Sequence, residues 1–161
     1  ISFNAAPLSI HSKHSMNDIL AAFGIVNEDT FYQPQAGVLY HEASKTDLFF
    51  VTLEKSERDY SPKTLYKDYA ISPTLFHWQS QHTTSQASAT GQRYLRQRAN
   101  GTNVLLFVRQ RRTQDGLTAP YTFLGPADYR SHQGDRPIAI VWELRHAMPA
   151  DFFRQAKVAA G

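Results

Sequence analysis

The 161-residue sequence contains no cysteine, which excludes disulfides, thiolate nucleophiles and cysteine-ligated zinc sites. It has no apolar run near the roughly 18 residues that a membrane-spanning helix needs, and no recognisable signal peptide. These absences are typical of a protein of the reducing cytosol. Because the first residue is Ile1 and not Met, we expect the chain to be excised from a longer protein.

Charge is missing from one long stretch. From Tyr69 to Gln92, "YAISPTLFHWQSQHTTSQASATGQ", there is no acid, lysine or arginine, although hydroxyls, amides, aromatic rings and histidines are frequent. Such a segment is too polar for a core strand and too aromatic for a flexible linker. We interpret it as part of an irregular region, Ser56 to Thr90, and long loops inside compact domains are usually functional.

Overall composition predicts a globular protein. Hydrophobic residues make up 42% and charged residues 19% of the chain, which are ordinary values for a folded domain. The length is sufficient to bury one core without covalent staples. We therefore predict a single domain over residues 1–161.

Hydrophobic periodicity predicts an α+β fold. A helix is expected after Ser15, which can cap it together with Asp18. Strands are expected over 37–42, 46–55, 103–112, 120–132 and 136–146, with further helices over 90–101 and 149–157. This order favours a mixed, mostly antiparallel curled sheet, or an SRA/PUA-like β-barrel with a few short helices.

Motifs for catalysis or metal binding are weak. His11, Lys13 and Asp18 have the H-x-K-x4-D spacing of phospholipase-D-type nucleases, but that chemistry needs two copies and the chain has one. The seven histidines form none of the usual zinc patterns. No phosphate loop or nucleophile elbow is present. We predict a non-catalytic domain without metal or other cofactor.

Arginine is concentrated directly after the uncharged stretch. Six arginines and no acid lie between Gly91 and Arg112, a pattern typical of a phosphate-binding surface. A solubilising face is the alternative interpretation. Because the predicted helix and strand are adjacent through Gly101, we expect both arginine groups to line one surface. The predicted phosphate-binding residues are Arg93, Arg96, Arg98, Arg109 and Arg111.

The uncharged stretch supplies groups that read bases, because amides, hydroxyls and aromatic rings contact base edges and faces. An alternative role for Phe76 and Trp78 is to pin the loop to the core. The predicted reading loop comprises Asp68, Tyr69, Ser72, Pro73, His77, Trp78 and Gln79.

Several sequence blocks carry a family resemblance. The distinctive ones are "TDLFFVTL", "YAISPTLFHW" and "FLGPADYRSHQGDRP", supported by "GQRYLRQR" and "VLLFVR". Over 37–151 the chain resembles the C-terminal domain, long labelled of unknown function, of large bacterial superfamily-two helicases. In those proteins the N-terminus carries a phospholipase-D-like nuclease.

The resemblance implies a reader of modified DNA. Some members of that family are type IV, modification-dependent restriction enzymes, whose C-terminal domain is thought to recognise 5-methylcytosine and to be similar to SRA-type barrels that flip the base. It implies partners, namely modified double-stranded DNA and the helicase and nuclease domains of the parent chain. It also implies a bacterial cytoplasmic location and a role in phage defence, with no membrane or small-molecule substrate.

Two alternatives remain open. DNA with a phosphorothioate backbone could be read without base flipping by an apolar pit formed by Pro73 and Leu75, beside Arg93 or His77. The domain could instead be an autoregulatory module that packs on the helicase and binds no DNA.

Overall fold

The computed structural model describes residues 8–25, 37–54 and 68–158. Its strands are β1 (Lys13–His14), β2 (Val38–His41), β3 (Thr46–Thr52), β4 (Tyr69–Ser72), β5 (Leu75–Gln79), β6 (Asn103–Arg109), β7 (Thr113–Gln114), β8 (Leu117–Thr118), β9 (Tyr121–Gln133) and β10 (Ala139–Leu144). Its helices are α1 (Met16–Ala22), α2 (Ala89–Leu95), α3 (Gln97–Asn100) and α4 (Ala150–Val158).

Eight strands form one sheet in the order β2-β3-β6-β9-β10-β5-β4, with β1 added alongside β9. Only the β3–β6 pair is parallel among these neighbours. The fold is therefore α+β with a mostly antiparallel sheet, as predicted. Across the described ranges β2 and β4 do not pair, so the sheet is not a closed barrel.

The pattern of apolar residues along a strand indicates whether one or both of its faces are packed against other elements. β3, "TDLFFVT", is buried at every position, as expected of a strand packed on both faces. In β5 and β10 buried residues alternate with half-buried ones, so one face of this part of the sheet packs on a core.

Two hydrophobic clusters lie on opposite faces of the sheet. The large core includes Phe49, Trp78, Tyr94 and Trp142, and Phe152 and Phe153 of α4 pack against it. The small core contains the α1 residues Ile19 and Leu20, packed with Leu48, Phe50, Leu105, Phe107, Tyr121 and Phe123. α1 thus covers the β3–β6–β9 region on the face opposite to the large core.

Aromatic contacts show that the sheet is strongly curled. Phe49 on β3 stacks on Trp78 of β5 with ring centroids 4.3 Å apart, although β6, β9 and β10 separate the two strands. In a flat sheet, four strand spacings would place them about 19 Å apart. Trp142 lies 5.4 Å from Phe49, and Tyr94 of α2 lies 5.5 Å from it. The sheet therefore wraps around the large core, and its outer surface on β5 and β10 is convex.

The predicted first helix is confirmed. The Asp18 amide donates to Ser15 Oγ at 3.1 Å, and the helix ends before Gly24, which has a φ of 68°. The second predicted helix is two short helices, α2 and α3, and its cap is Ser88 and not Thr90. Gly101 ends it in the left-handed conformation, as expected.

The predicted irregular region is wrong over 69–79, which form two strands and their turn, and is confirmed over 80–88, which are turns and bends. β4 and β5 form an antiparallel hairpin, and β5 also pairs with β10 along its whole length. The part of that region before Asp68 lies outside the described residues. The physical reason is that "LFHWQ" alternates aromatic and polar side chains, the pattern of a half-buried strand. The segment is part of the sheet and not a loop above it.

Adjacent residues of β5 give a direct test of the curled sheet. We expect Trp78→Ala to lower the free energy of unfolding by about 3–5 kcal/mol, because a fully packed indole is removed from the large core. His77→Ala, on the opposite face of the same strand, should lower it by about 1 kcal/mol. Urea unfolding followed by circular dichroism measures both, and equal losses would contradict the assigned faces.

Candidate functional site

The convex side of the β9–β10–β5–β4 region carries polar and aromatic side chains. Strand register places Tyr69, His77, Val141 and Ser131 in one row across four strands, with Gln79, Ala139 and Gln133 in the next row. None of these seven residues is fully buried. We call this surface the open face.

Tyr69 and His77 lie at the β4 edge of the open face. Their rings stack with centroids 4.5 Å apart and an angle of 12° between the planes. Beside them, the Gln79 amide donates to Asp68 Oδ1 at 3.0 Å, so the buried Asp68 fixes the end of β5. The strand pairing and this contact give the aromatic pair a rigid support.

The β4–β5 turn is held by its own polar groups and presents apolar side chains. Ser72 Oγ accepts from the amides of Thr74 and Leu75 at 3.3 and 3.1 Å. The Pro73 carbonyl accepts from the Met148 amide at 2.8 Å. Ile71 is 45% exposed and Pro73 is also exposed, which makes the turn an apolar corner of the open face.

Trp78 does not belong to the open face. Its side chain points into the large core and only 4% of the residue is exposed. It contacts Phe49, Tyr94 and Trp142. The expectation that Trp78 stacks on a base is therefore incompatible with this structure, whereas the alternative, that Phe76 and Trp78 pin the segment to the core, describes both residues.

A charged cluster borders the open face on β10. Glu143 follows Val141 by two residues, so both side chains lie on the same side of the strand. Its carboxylate accepts from Arg130 at 2.9 Å and from Arg98 at 3.4 Å, and Arg98 also donates to the Tyr129 carbonyl. Arg98 is thus a predicted phosphate-binding residue that lies beside the open face, and Arg130 was not among the predicted residues.

Asp128, opposite Glu143 in register, extends this cluster. Arg145 donates to both of its carboxylate oxygens at 3.0 and 3.1 Å, and Gln97 of α3 donates at 3.2 Å. The Arg145 guanidinium holds the pKa of the Asp128 carboxyl below its usual value. Arg145 was missed too, because it follows a strand and lies outside the arginine-rich stretch.

Arg93 has a structural role. Its guanidinium donates to Asp47 Oδ1 and Oδ2 at 2.8 and 2.9 Å and lies 4.3 Å from the centre of the Tyr40 ring. Burial raises the pKa of the Asp47 carboxyl, and the hydrogen bonds from Arg93 oppose that rise. A buried carboxylate that lost this partner would be uncompensated, which costs about 3–5 kcal/mol. Arg93 therefore stabilises the fold through its contacts with Asp47 and Tyr40.

The remaining predicted arginines lie elsewhere. Arg109 donates to Thr52 Oγ1 at 2.9 Å and lies 4.4 Å from the centre of the Tyr121 ring, on the small-core side. Arg111, two residues after Arg109, forms an ion pair with Glu54. Arg96 is exposed at the end of α2. The expectation that both arginine groups line one surface is wrong, because Asp47 and Thr52 lie near opposite ends of β3 and on opposite faces.

The described ranges contain neither a metal-binding cluster nor a membrane-spanning helix. No group of three or more histidine, aspartate or glutamate side chains there is arranged to hold a metal ion. No helix in the same ranges is long and apolar enough to cross a membrane.

Comparison with known proteins gives one family. Residues 8–156 match the family model described as a domain of unknown function, DUF3427. Among solved structures, the 5-hydroxymethylcytosine-specific restriction enzyme AbaSI is similar with a TM-score of 0.44 and 16% sequence identity, over 73% of this chain and 34% of that enzyme. The chain therefore spans about a third of the length of that enzyme. No curated protein sequence matches the chain.

The Asp128 cluster predicts a pH dependence of stability. Because the folded pKa lies below the ordinary 3.8, the unfolded chain binds more protons near that pH, and stability rises with pH through this window. The contribution of Asp128 is present above the ordinary value and is lost as pH falls through the lowered one. We expect Asp128→Asn to be destabilising at pH 7, and its difference in stability from the unchanged protein to shrink as pH falls below the ordinary value.

Urea midpoints at pH 7, 5 and 3 measure this convergence. Asp115→Asn, on an exposed turn, controls for the removal of one negative charge. A difference between Asp128→Asn and the unchanged chain that stayed constant at all three pH values would contradict the proposed coupling to Arg145.

Proposed function

The chain belongs to the DUF3427 family, and we propose that it is a non-catalytic domain that binds modified DNA through the open face. The observation that carries the proposal is the Tyr69–His77 stack, two parallel rings on a surface strand pair outside both cores. Aromatic rings at a surface stack on bases, and each such contact is worth about 1–3 kcal/mol.

We propose 5-methylcytosine, read by base flipping, as the mark. An extruded base would extend the stack of Tyr69 on His77, and stacking would help offset the few kcal/mol that extrusion requires. Gln79 lies two residues along β5 on the same face and carries both a donor and an acceptor for a base edge. Asp68 and Ser72 lie on either side of Tyr69 along the chain.

In this proposal, the arginine cluster beside the open face contacts the DNA phosphates. Arg98, Arg130 and Arg145 surround Glu143 and Asp128, so the cluster carries three cations against two anions. Their side chains are about half exposed, between 49% and 57%. Exposed ion pairs of this kind contribute little to stability, and a phosphate can replace a carboxylate as the partner of an arginine.

The role in the whole protein is also a proposal, supported by the sequence resemblance. The domain would direct the helicase and nuclease domains of a longer, ATP-dependent bacterial protein to modified DNA in the cytoplasm. Cleavage and ATP hydrolysis would then belong to those domains. The cell would use the assembly for restriction of invading phage DNA.

Binding of matched duplexes tests the reading of the mark. The 161-residue chain is titrated against one duplex in unmodified and 5-methylcytosine forms at fixed salt, with fluorescence anisotropy as the readout. We expect tighter binding to the methylated form. Tyr69→Ala should weaken binding to it by about 5–150-fold, the equivalent of the 1–3 kcal/mol of one stacking contact.

Two control variants separate reading from anchoring. Tyr69→Phe keeps the ring and should keep the preference, whereas Arg98→Gln should weaken binding to both duplexes equally. A 2-aminopurine beside the mark should increase in fluorescence if the base is flipped. Equal, salt-sensitive binding to both duplexes would refute modification reading, and no binding to either would favour the autoregulatory alternative.

A phosphorothioate backbone is a second candidate, favoured by the apolar corner. Ile71, Pro73 and the half-buried Leu75 lie at the β4–β5 turn, and Leu75 pairs in register with Glu143, which Arg98 and Arg130 contact. An apolar surface beside cationic donors suits a sulfur-bearing phosphate. Arg93, one cation considered for this role, is instead bound to Asp47.

A phosphorothioate form of the same duplex distinguishes this candidate. If it is correct, the phosphorothioate duplex should bind more tightly than the methylated one, and Ile71→Ser should remove that difference. Tyr69→Ala should have little effect on it. Binding of the phosphorothioate duplex no tighter than its unmodified counterpart would exclude the candidate.

A further inference from the structure

A second basic surface lies beyond the C-terminal end of β6, apart from the open face. It is a groove of about 650 Å³ at the C-terminal end of β6, beside the β7–β8 hairpin and α4. Its lining includes Lys13, Arg109, Arg111, Gln114, Phe152 and Gln155. Neither the open face nor its arginine cluster contributes to it.

Three elements bring cations to this groove. Lys13 comes from β1, Arg109 from the end of β6 and Arg111 from the segment that leads into the hairpin. Among the described lining residues, the acidic one is Asp115, at the hairpin tip. Glu54 and Asp151 lie close by, paired with Arg111 and Arg154. The described part of the lining therefore carries three positive charges against one negative charge.

Arg109 is held in place before any ligand arrives. Nε donates to Thr52 Oγ1 at 2.9 Å and Nη1 donates to the Ala119 carbonyl at 3.1 Å, while the Tyr121 ring lies beneath the guanidinium. A fixed guanidinium loses little side-chain entropy on binding a phosphate. Gln114 and Gln155 add neutral amide donors, which also contact phosphate oxygens.

The hairpin forms one wall of the groove. Residues 111–118 are all exposed, and β7 and β8 pair only with each other in the described structure. Asp115 and Gly116 turn the chain at its tip with φ values of 54° and 78°, as in a two-residue hairpin turn. A two-stranded ribbon of this kind fits the roughly 12 Å major groove of duplex DNA.

We propose that this groove binds the phosphodiester backbone of duplex DNA regardless of any mark, with the hairpin lying against the duplex. The inference rests on the proposed DNA binding and adds a second contact that does not read the modification. Single strands are a poorer fit, because their binding sites stack successive bases on several aromatic rings. Phe152 is the aromatic residue in the described lining.

Salt dependence of binding tests the groove in the 161-residue chain. Lys13→Gln combined with Arg111→Gln removes two exposed cations, and Lys45→Gln with Lys157→Gln is the charge-matched control outside the lining. Anisotropy titrations with an unmodified duplex between about 50 and 200 mM salt should show that the groove variant lowers the slope of log affinity against log salt by about 2. The control should leave the slope unchanged.

The ratio of affinities separates this inference from modification reading. The groove variant should weaken binding to modified and unmodified duplexes by the same factor, so that their ratio is preserved. A slope equal to that of the control, or an effect seen only with single strands of the same length, would overturn the groove proposal. Absence of any preference for modified DNA, combined with the lowered slope, would refute modification reading alone. Thermal melting of each variant confirms that it is folded.

Discussion

Contact between Phe49 and Trp78 is the constraint on which the rest of the domain depends. It joins two strands that are separated by three others in the sheet, and it can form only if the sheet curls around the large core. Tyr94 and Trp142 fill the space that the curl encloses. Because the aromatic rings of β3, β5 and β10 are used there, the opposite side of β5 and β10 becomes a convex surface whose side chains are available for other roles.

This division explains why polar and aromatic residues alternate along β5. Phe76 and Trp78 face the core, while His77 and Gln79 face outwards beside Tyr69. One strand thus contributes to stability through one face and to the proposed binding site through the other. Substitutions on the core face should therefore change stability, and substitutions on the open face should change binding, largely independently of each other. Residues on opposite faces share few partners.

Much of the fold could be predicted from sequence periodicity, and part of the site could not. β3 and β6 are continuous apolar runs, and α1 has a capping serine, so local pattern was sufficient for them. β5 was misread because its period of two extends over only five residues inside a longer uncharged, hydroxyl-rich stretch. Arg93 was misassigned because its partner Asp47 is distant in sequence, and no local signal shows that a charged side chain will be buried. Arg130 and Arg145 lie beside Glu143 and Asp128 because of the register between β9 and β10, which local sequence does not show.

Pairing of β5 with β10 also has a consequence for the order in which the domain is made. The two strands lie far apart in the chain, and such non-local contacts form slowly because a long loop must close first. During synthesis the β4–β5 hairpin leaves the ribosome well before β10 exists. Until β10 arrives, Trp78 lacks Trp142 and His77 lacks the strand that supports it. The open face is therefore assembled late, only after β10 has been made.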